Sequence, residues 1–166
     1  MNKRVKKLAV VAVMIALDVV LTSVFRIEGM APMSSVMNII AAVLLGPVYA
    51  FLMALITAII RIFLLGVPPL ALTGAIFGAI GASFAYRYGQ RMYWAMIGEF
   101  IGTGIIGSLL SYPLMVWYTG SQQALYWLVY TPRFIGATLI GAGIAYFVLK
   151  NLLNQQKIGL IQQLFK

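Results

Sequence analysis

Apolar residues in this chain fall in blocks of near membrane-spanning length. The first, Leu8 to Phe25, is 18 residues long with one ionisable side chain, Asp18, and as a helix rises about 27 Å at 1.5 Å per residue. Further blocks cover residues 35–45, 48–64, 69–86, 93–117 and 129–149. A helix needs ~20 such residues to cross a bilayer, so the pattern predicts an all-α integral membrane protein with six transmembrane helices. Residues 1–166 are expected to form a single transmembrane domain.

Charge supports this reading. Only 9% of the 166 residues are charged and 63% are apolar, against about 25% charged in a soluble domain. Twelve Lys and Arg against three Asp and Glu give a net charge of +9. The basic residues sit singly or in small groups between apolar blocks, a distribution that sets topology rather than forming a nucleic-acid groove. With no Cys and no His, the chain has no disulfide, thiol nucleophile, imidazole base or zinc site of the usual kind. No metal or cofactor is expected. Lys3, Arg4, Lys6 and Lys7 before an apolar run resemble a signal peptide, but no persuasive A-x-A site follows, so the run is read as a retained first span.

The block at 35–45 rises only some 17 Å, so two topologies compete. If residues 35 to 64 form a hairpin turning at Gly46-Pro47, nine of the twelve basic residues fall on one side: Lys3, Arg4, Lys6, Lys7, Arg87, Arg91, Lys150, Lys157 and Lys166. One long helix would move Arg87, Arg91 and the Lys-bearing tail to the other side. The positive-inside rule favours the hairpin, with both termini cytoplasmic in the cell membrane. Gly as a helix stop and Pro as the next helix's first residue fit the same turn. Tyr86, Tyr88, Tyr93 and Trp94 mark the inner boundary, and Trp117, Tyr118, Tyr126, Trp127 and Tyr130 the outer one, as aromatic belts do. The tail 151–166 reads as an amphipathic helix on the inner surface, with Gly159 a point where it can break.

Helices in lipid associate through small residues. Ala12 and Ala16, with Ala9 beside them, give the first span an A-x-x-x-A face that can dock another membrane protein or pack internally. Gly74, Gly78 and Ala82, and Gly98, Gly102, Gly104 and Gly107, are expected to pack within the bundle. Ionisable groups at membrane depth are functional candidates. Asp18 near the midplane and Arg61 in the outer third can pair, either to fix packing or to meet a substrate. Glu99, about 9 Å inside Tyr93, can bond a neighbouring helix or a ligand. Arg133 at the outer entry to the last span either snorkels or closes a pocket mouth. Asn38 and Thr73 can supply polar contacts in an outer cavity, and Tyr112, Trp117, Trp127 and Tyr130 can stack a planar ligand or simply form the belt. No G-x-x-x-x-G-K-[ST] loop is present, so a powered transporter would need a separate ATPase.

Asn38 to Ala42 leading to Leu45-Gly46-Pro47-Val48-Tyr49-Ala50, Arg61 before Leu65-Gly66, and above all Gly98-Glu99-Phe100-Ile101-Gly102-Thr103-Gly104-Ile105-Ile106-Gly107 with Tyr112-Pro113 resemble the ThiW family over nearly the whole chain. These are thiazole-specific substrate-binding S components of energy-coupling factor (ECF) vitamin transporters. The resemblance implies a six-helix S component rather than an enzyme. It also implies docking by the Ala12 and Ala16 face on a scaffold transmembrane subunit that carries two ATPases, and hydroxyethylthiazole, the thiamine precursor, as ligand. The loop Gly66-Val67-Pro68-Pro69 departs from the Gly-Thr-Gly-like loop expected there. Expected substrate contacts are Trp117, Trp127 and Tyr130 for stacking and Asn38, Thr73 and Arg61 for polar bonds, under a lid at 26–35. The alternatives are an S component for another small vitamin or precursor, and an assembly subunit that binds no solute.

Overall fold

The computed structural model describes residues 2–27, 30–120, 127–154 and 156–165. Tyr126, the Lys157 side chain, Lys166 and residues 28 and 29 of the expected lid lie outside the described residues. Helix α1, Lys3–Val24, begins where the Asn2 side chain accepts the Arg4 N–H at 3.2 Å, satisfying one of the donors a helix start leaves open. Its buried residues, Val11, Met14, Asp18 and Thr22, recur at helical spacing and face the bundle. Val13, Leu17, Val20 and Val24 are exposed, as the lipid side of a spanning helix should be.

Helix α2, Pro32–Leu65, folds back on itself. Gly46 holds φ 73° and ψ 176°, a backbone state that costs glycine least, and Pro47 has no N–H with which to continue the turn before it. Ser34 and Val67 line one cavity, whereas a straight helix of 34 residues would hold its ends about 50 Å apart. The arms 32–45 and 47–65 are therefore a hairpin. Every residue from 34 to 45 is buried, which makes the first arm the axis of the bundle. Expected from residue 35, this arm starts at Pro32; enclosed by protein, it need not match the hydrocarbon thickness that sets the length of a lipid-facing helix.

With that hairpin the described chain crosses six times: α1, the two arms, α3 (Leu70–Gly89), the continuous span Met92–Thr119 and α6 (Thr131–Leu153). Lys3 to Lys7, the Gly46-Pro47 turn, Arg87, Arg91 and Lys150 fall at one end, and Arg26 and Arg133 at the other. The positive-inside rule favours the basic end as the inner one.

The span Met92–Thr119 changes winding along its length: α4 (Met92–Glu99), a π-helical segment (Phe100–Gly107) and α5 (Ser108–Thr119). Bonds from i to i+5 widen the coil, so Gly102 and Gly107 reach one face together with Gly98. A Cβ on Gly98 would strike the Gly81 carbonyl, one on Gly102 the Phe77 carbonyl, and one on Gly107 would sit 3.1 Å from the Gly74 Cα. The two helices thus meet backbone to backbone, as small residues allow in lipid. Gly104 faces α6 instead, toward Thr138 and Ile135. The Ser108 and Ser111 hydroxyls donate to the Gly104 and Gly107 carbonyls, each at 2.7 Å.

Helix α7, Gln156–Phe165, runs unbroken through Gly159 and packs on the hairpin turn. Pro47 cannot bond the Val43 carbonyl four residues back, and Gln162 Nε2 donates to that oxygen at 3.1 Å. Phe165 meets Tyr49 edge to face at 4.9 Å, with Lys7 Nζ over both rings at 5.6 and 5.5 Å.

Candidate functional site

Toward the end opposite the basic residues, the two arms of α2, α3, the span Met92–Thr119 and α6, with the loop after α1, enclose a cavity of about 210 Å³. Arg26, Arg61 and Arg133 line it; Arg26 and Arg133 are exposed at the mouth, and Arg61 is buried. Met30, Val67, Pro68, Leu70, Tyr130 and Phe134 form apolar and aromatic walls. Asn38, Ala75, Glu99 and Thr103 line its innermost part. Depth follows from position: Glu99 is seven residues into a helix that starts at Met92 on the basic end, or about 10 Å above it.

The innermost polar groups form one network. Asn38 Nδ2 donates to the Ala75 carbonyl at 3.2 Å and to Glu99 Oε1 at 3.3 Å. Thr103 Oγ1 lies 2.8 Å from both Glu99 Oε1 and the Gly74 carbonyl, so its single hydrogen serves one of two acceptors. Asn38 is 1% and Glu99 0% exposed, and Asn38 Oδ1 and Glu99 Oε2 have no hydrogen-bond partner. Gly78 makes the network possible: a Cβ there would overlap Thr103 Oγ1 and Glu99 Oε2 and lie 2.8 Å from Asn38 Nδ2.

Of the residues expected to contact substrate, the fold gathers Asn38, Arg61 and Tyr130 at the cavity, with Glu99 and Arg133 beside them. Three others lie outside its lining. Trp117 is 81% exposed and Trp127 57% exposed; Trp127 stacks on Tyr112 at 4.7 Å, an interfacial arrangement rather than a pocket wall. Thr73 Oγ1 lies 2.9 Å from the Leu70 carbonyl and 2.6 Å from Ser111 Oγ, so its hydroxyl is held between α3 and α5. Asp18 is fully buried, outside the cavity lining, with neither carboxyl oxygen hydrogen-bonded. Arg61, expected to pair with it, makes no hydrogen bond to either oxygen. From the expected lid, Arg26, Met30, Ala31, Ser34 and Ser35 line the cavity. Ala9, Ala12 and Ala16 are exposed on α1.

Thr103 and Phe134 join the site as contacts that were not expected, and Ser34 and Ser35 were expected only as part of the lid. The first two follow helical spacing from residues that were singled out: Thr103 from Glu99 and Phe134 from Tyr130, each four residues on.

A multi-pass helical bundle with a small, partly polar cavity open at one membrane face is the architecture of an integral membrane protein with room for a small solute. The model of the ThiW family, thiamine-precursor transporter proteins, matches residues 8–155. The chain belongs to that family. No curated protein and no solved structure matches it significantly.

Proposed function

We propose that this thiamine-precursor transporter chain is the substrate-binding S component of an ECF importer in the cell membrane, and that its ligand is hydroxyethylthiazole. Residues 1–166 act as one transmembrane domain. The observation that carries the ligand reading is the cavity. Its volume of about 210 Å³ is below the ~300–1,000 Å³ of sites for drug-sized ligands and suits one ring with a short side chain. Tyr130 and Phe134 offer aromatic faces for the thiazole, and Arg61 a donor for its ring nitrogen. Asn38 adds a polar contact.

The chain carries no phosphate loop of the G-x-x-x-x-G-K-[ST] type, so ATP-driven import draws on two separate ATPase subunits through a scaffold transmembrane subunit. The exposed face of α1 at Ala9, Ala12 and Ala16 is suited to that docking, since small residues let helices approach closely in lipid.

Calorimetry with the purified chain tests the reading, using hydroxyethylthiazole, thiamine and the pyrimidine precursor. Saturable binding of the thiazole at one per chain, with the other two much weaker, is expected. Binding of another member of the panel instead overturns the thiazole assignment. A folded sample that binds none of them overturns it too, and favours an assembly subunit or a different vitamin.

A further inference from the structure

The innermost polar atoms of the cavity have an unequal balance of donors and acceptors. Asn38 Nδ2 is committed to two acceptors, the Ala75 carbonyl and Glu99 Oε1. That commitment fixes the amide's orientation, because the flipped amide would set an oxygen against both. The Thr103 hydroxyl is committed to the Gly74 carbonyl or Glu99 Oε1. What remains without partners is Asn38 Oδ1, an acceptor, and Glu99 Oε2, which accepts when the carboxyl is ionised and donates when it is neutral. A hydroxyl, able to donate and to accept, suits both, and a ring nitrogen does not. Arg26, Arg61 and Arg133, which can only donate, line the same cavity on the elements' outer ends, and the Ser34 and Ser35 hydroxyls, which can donate or accept, line it too.

We propose that Glu99 and Asn38 are specificity-determining residues that read a hydrogen-bond donor on the ligand, so that the ligand's hydroxyl is bound at the innermost end and its ring lies toward Tyr130 and Phe134. This rests on the thiazole reading above. Hydroxyethylthiazole has a single donor, the hydroxyl, and a ring nitrogen that only accepts. Inward-facing hydroxyl and outward-facing nitrogen match acceptors with donors at both ends of the cavity; the reverse pose sets the ring nitrogen against unpartnered oxygens. A buried acceptor left unmet weakens binding by about tenfold to a hundredfold, which is the source of the discrimination. Sites built to bond a hydroxyl reject analogues that lack it far more strongly than apolar pockets reject a change in size.

The test varies the ligand on the unaltered chain, which avoids any question of folding. Affinities are measured for hydroxyethylthiazole, its O-methyl ether and the analogue with ethyl in place of hydroxyethyl. The alcohol is expected to bind about tenfold to a hundredfold more tightly than either analogue. Glu99→Gln, which presents an amide in place of one acceptor oxygen, is expected to narrow that gap to within about threefold while still binding the ether. Equal binding of alcohol and ether by the unaltered chain overturns the proposal and leaves the thiazole reading standing, with water meeting the two oxygens. Full discrimination retained in Glu99→Gln overturns the role of Glu99. Absence of alcohol binding by folded chain overturns the thiazole reading and the proposal together.

Discussion

Gly78 is where the smallest change should have the largest effect. A methyl group there would overlap the Thr103, Glu99 and Asn38 polar atoms at once, so Gly78→Ala must push the network apart or bend α3. We expect a loss of about 1–3 kcal/mol in stability and at least a tenfold loss of ligand affinity, read by thermal unfolding and titration in detergent. Gly143 is the matched control: nothing lies within 4 Å of a Cβ there, so Gly143→Ala should leave both unchanged or gain a few tenths of a kcal/mol from helix propensity. At this scale the sequence is legible where partners are close along the chain. Glu99 and Thr103 share a helix face by their spacing of four. That Asn38 completes the network from 61 positions away depends on how the first arm is rotated about its axis, and a helix buried on every side has no apolar stripe from which to read that rotation. Trp117 and Trp127 were hard to place for the opposite reason, since an aromatic ring at a membrane boundary suits lipid as well as ligand.

Among the elements, the first arm of α2 and helix α7 depend on one another. Proline at 47 permits the hairpin and leaves the Val43 carbonyl without its usual donor, and Gln162 supplies a replacement from α7. Gln162→Ala should therefore cost about 1 kcal/mol and free α7 from the turn, while Gln163→Ala, on an exposed position of the same helix, should cost little. Limited proteolysis of the tail, compared between the two variants, reads the difference directly. The hairpin itself was readable from Gly46-Pro47 and from the sides to which the basic residues fall. The π-helical segment was not. Gly98, Gly102 and Gly107 lie four and then five apart, but Gly104 breaks the pattern, and only the contact with α3 shows which glycines share the seam. An extra residue per turn is selected by tertiary packing rather than by local propensity.

For the molecule as a whole, docking and topology are the properties that can be tested independently of ligand. If the α1 face serves a scaffold subunit, Ala12→Leu with Ala16→Leu should abolish co-purification with it while leaving ligand affinity within about twofold, because neither residue lines the cavity and bulk on a small-residue face prevents close helix approach. Topology can be read without ambiguity because the chain has no cysteine, so a single introduced thiol is the only one to label. Val48, just past the turn, is 65% exposed, and Tyr88 lies at the end of α3 among the basic residues. In the hairpin, Val48→Cys and Tyr88→Cys face the same aqueous side, together with the N-terminal lysines. In vesicles of known orientation a membrane-impermeant maleimide should label both from the cytoplasmic face and neither from outside. A straight α2 gives a different result: position 48 falls mid-membrane and is labelled from neither side, and Tyr88, one crossing fewer from the N-terminus, is labelled from outside. That outcome would also move Ser34 and Val67 to opposite ends of a long helix and dissolve the cavity, so the labelling pattern tests the binding site and the topology together.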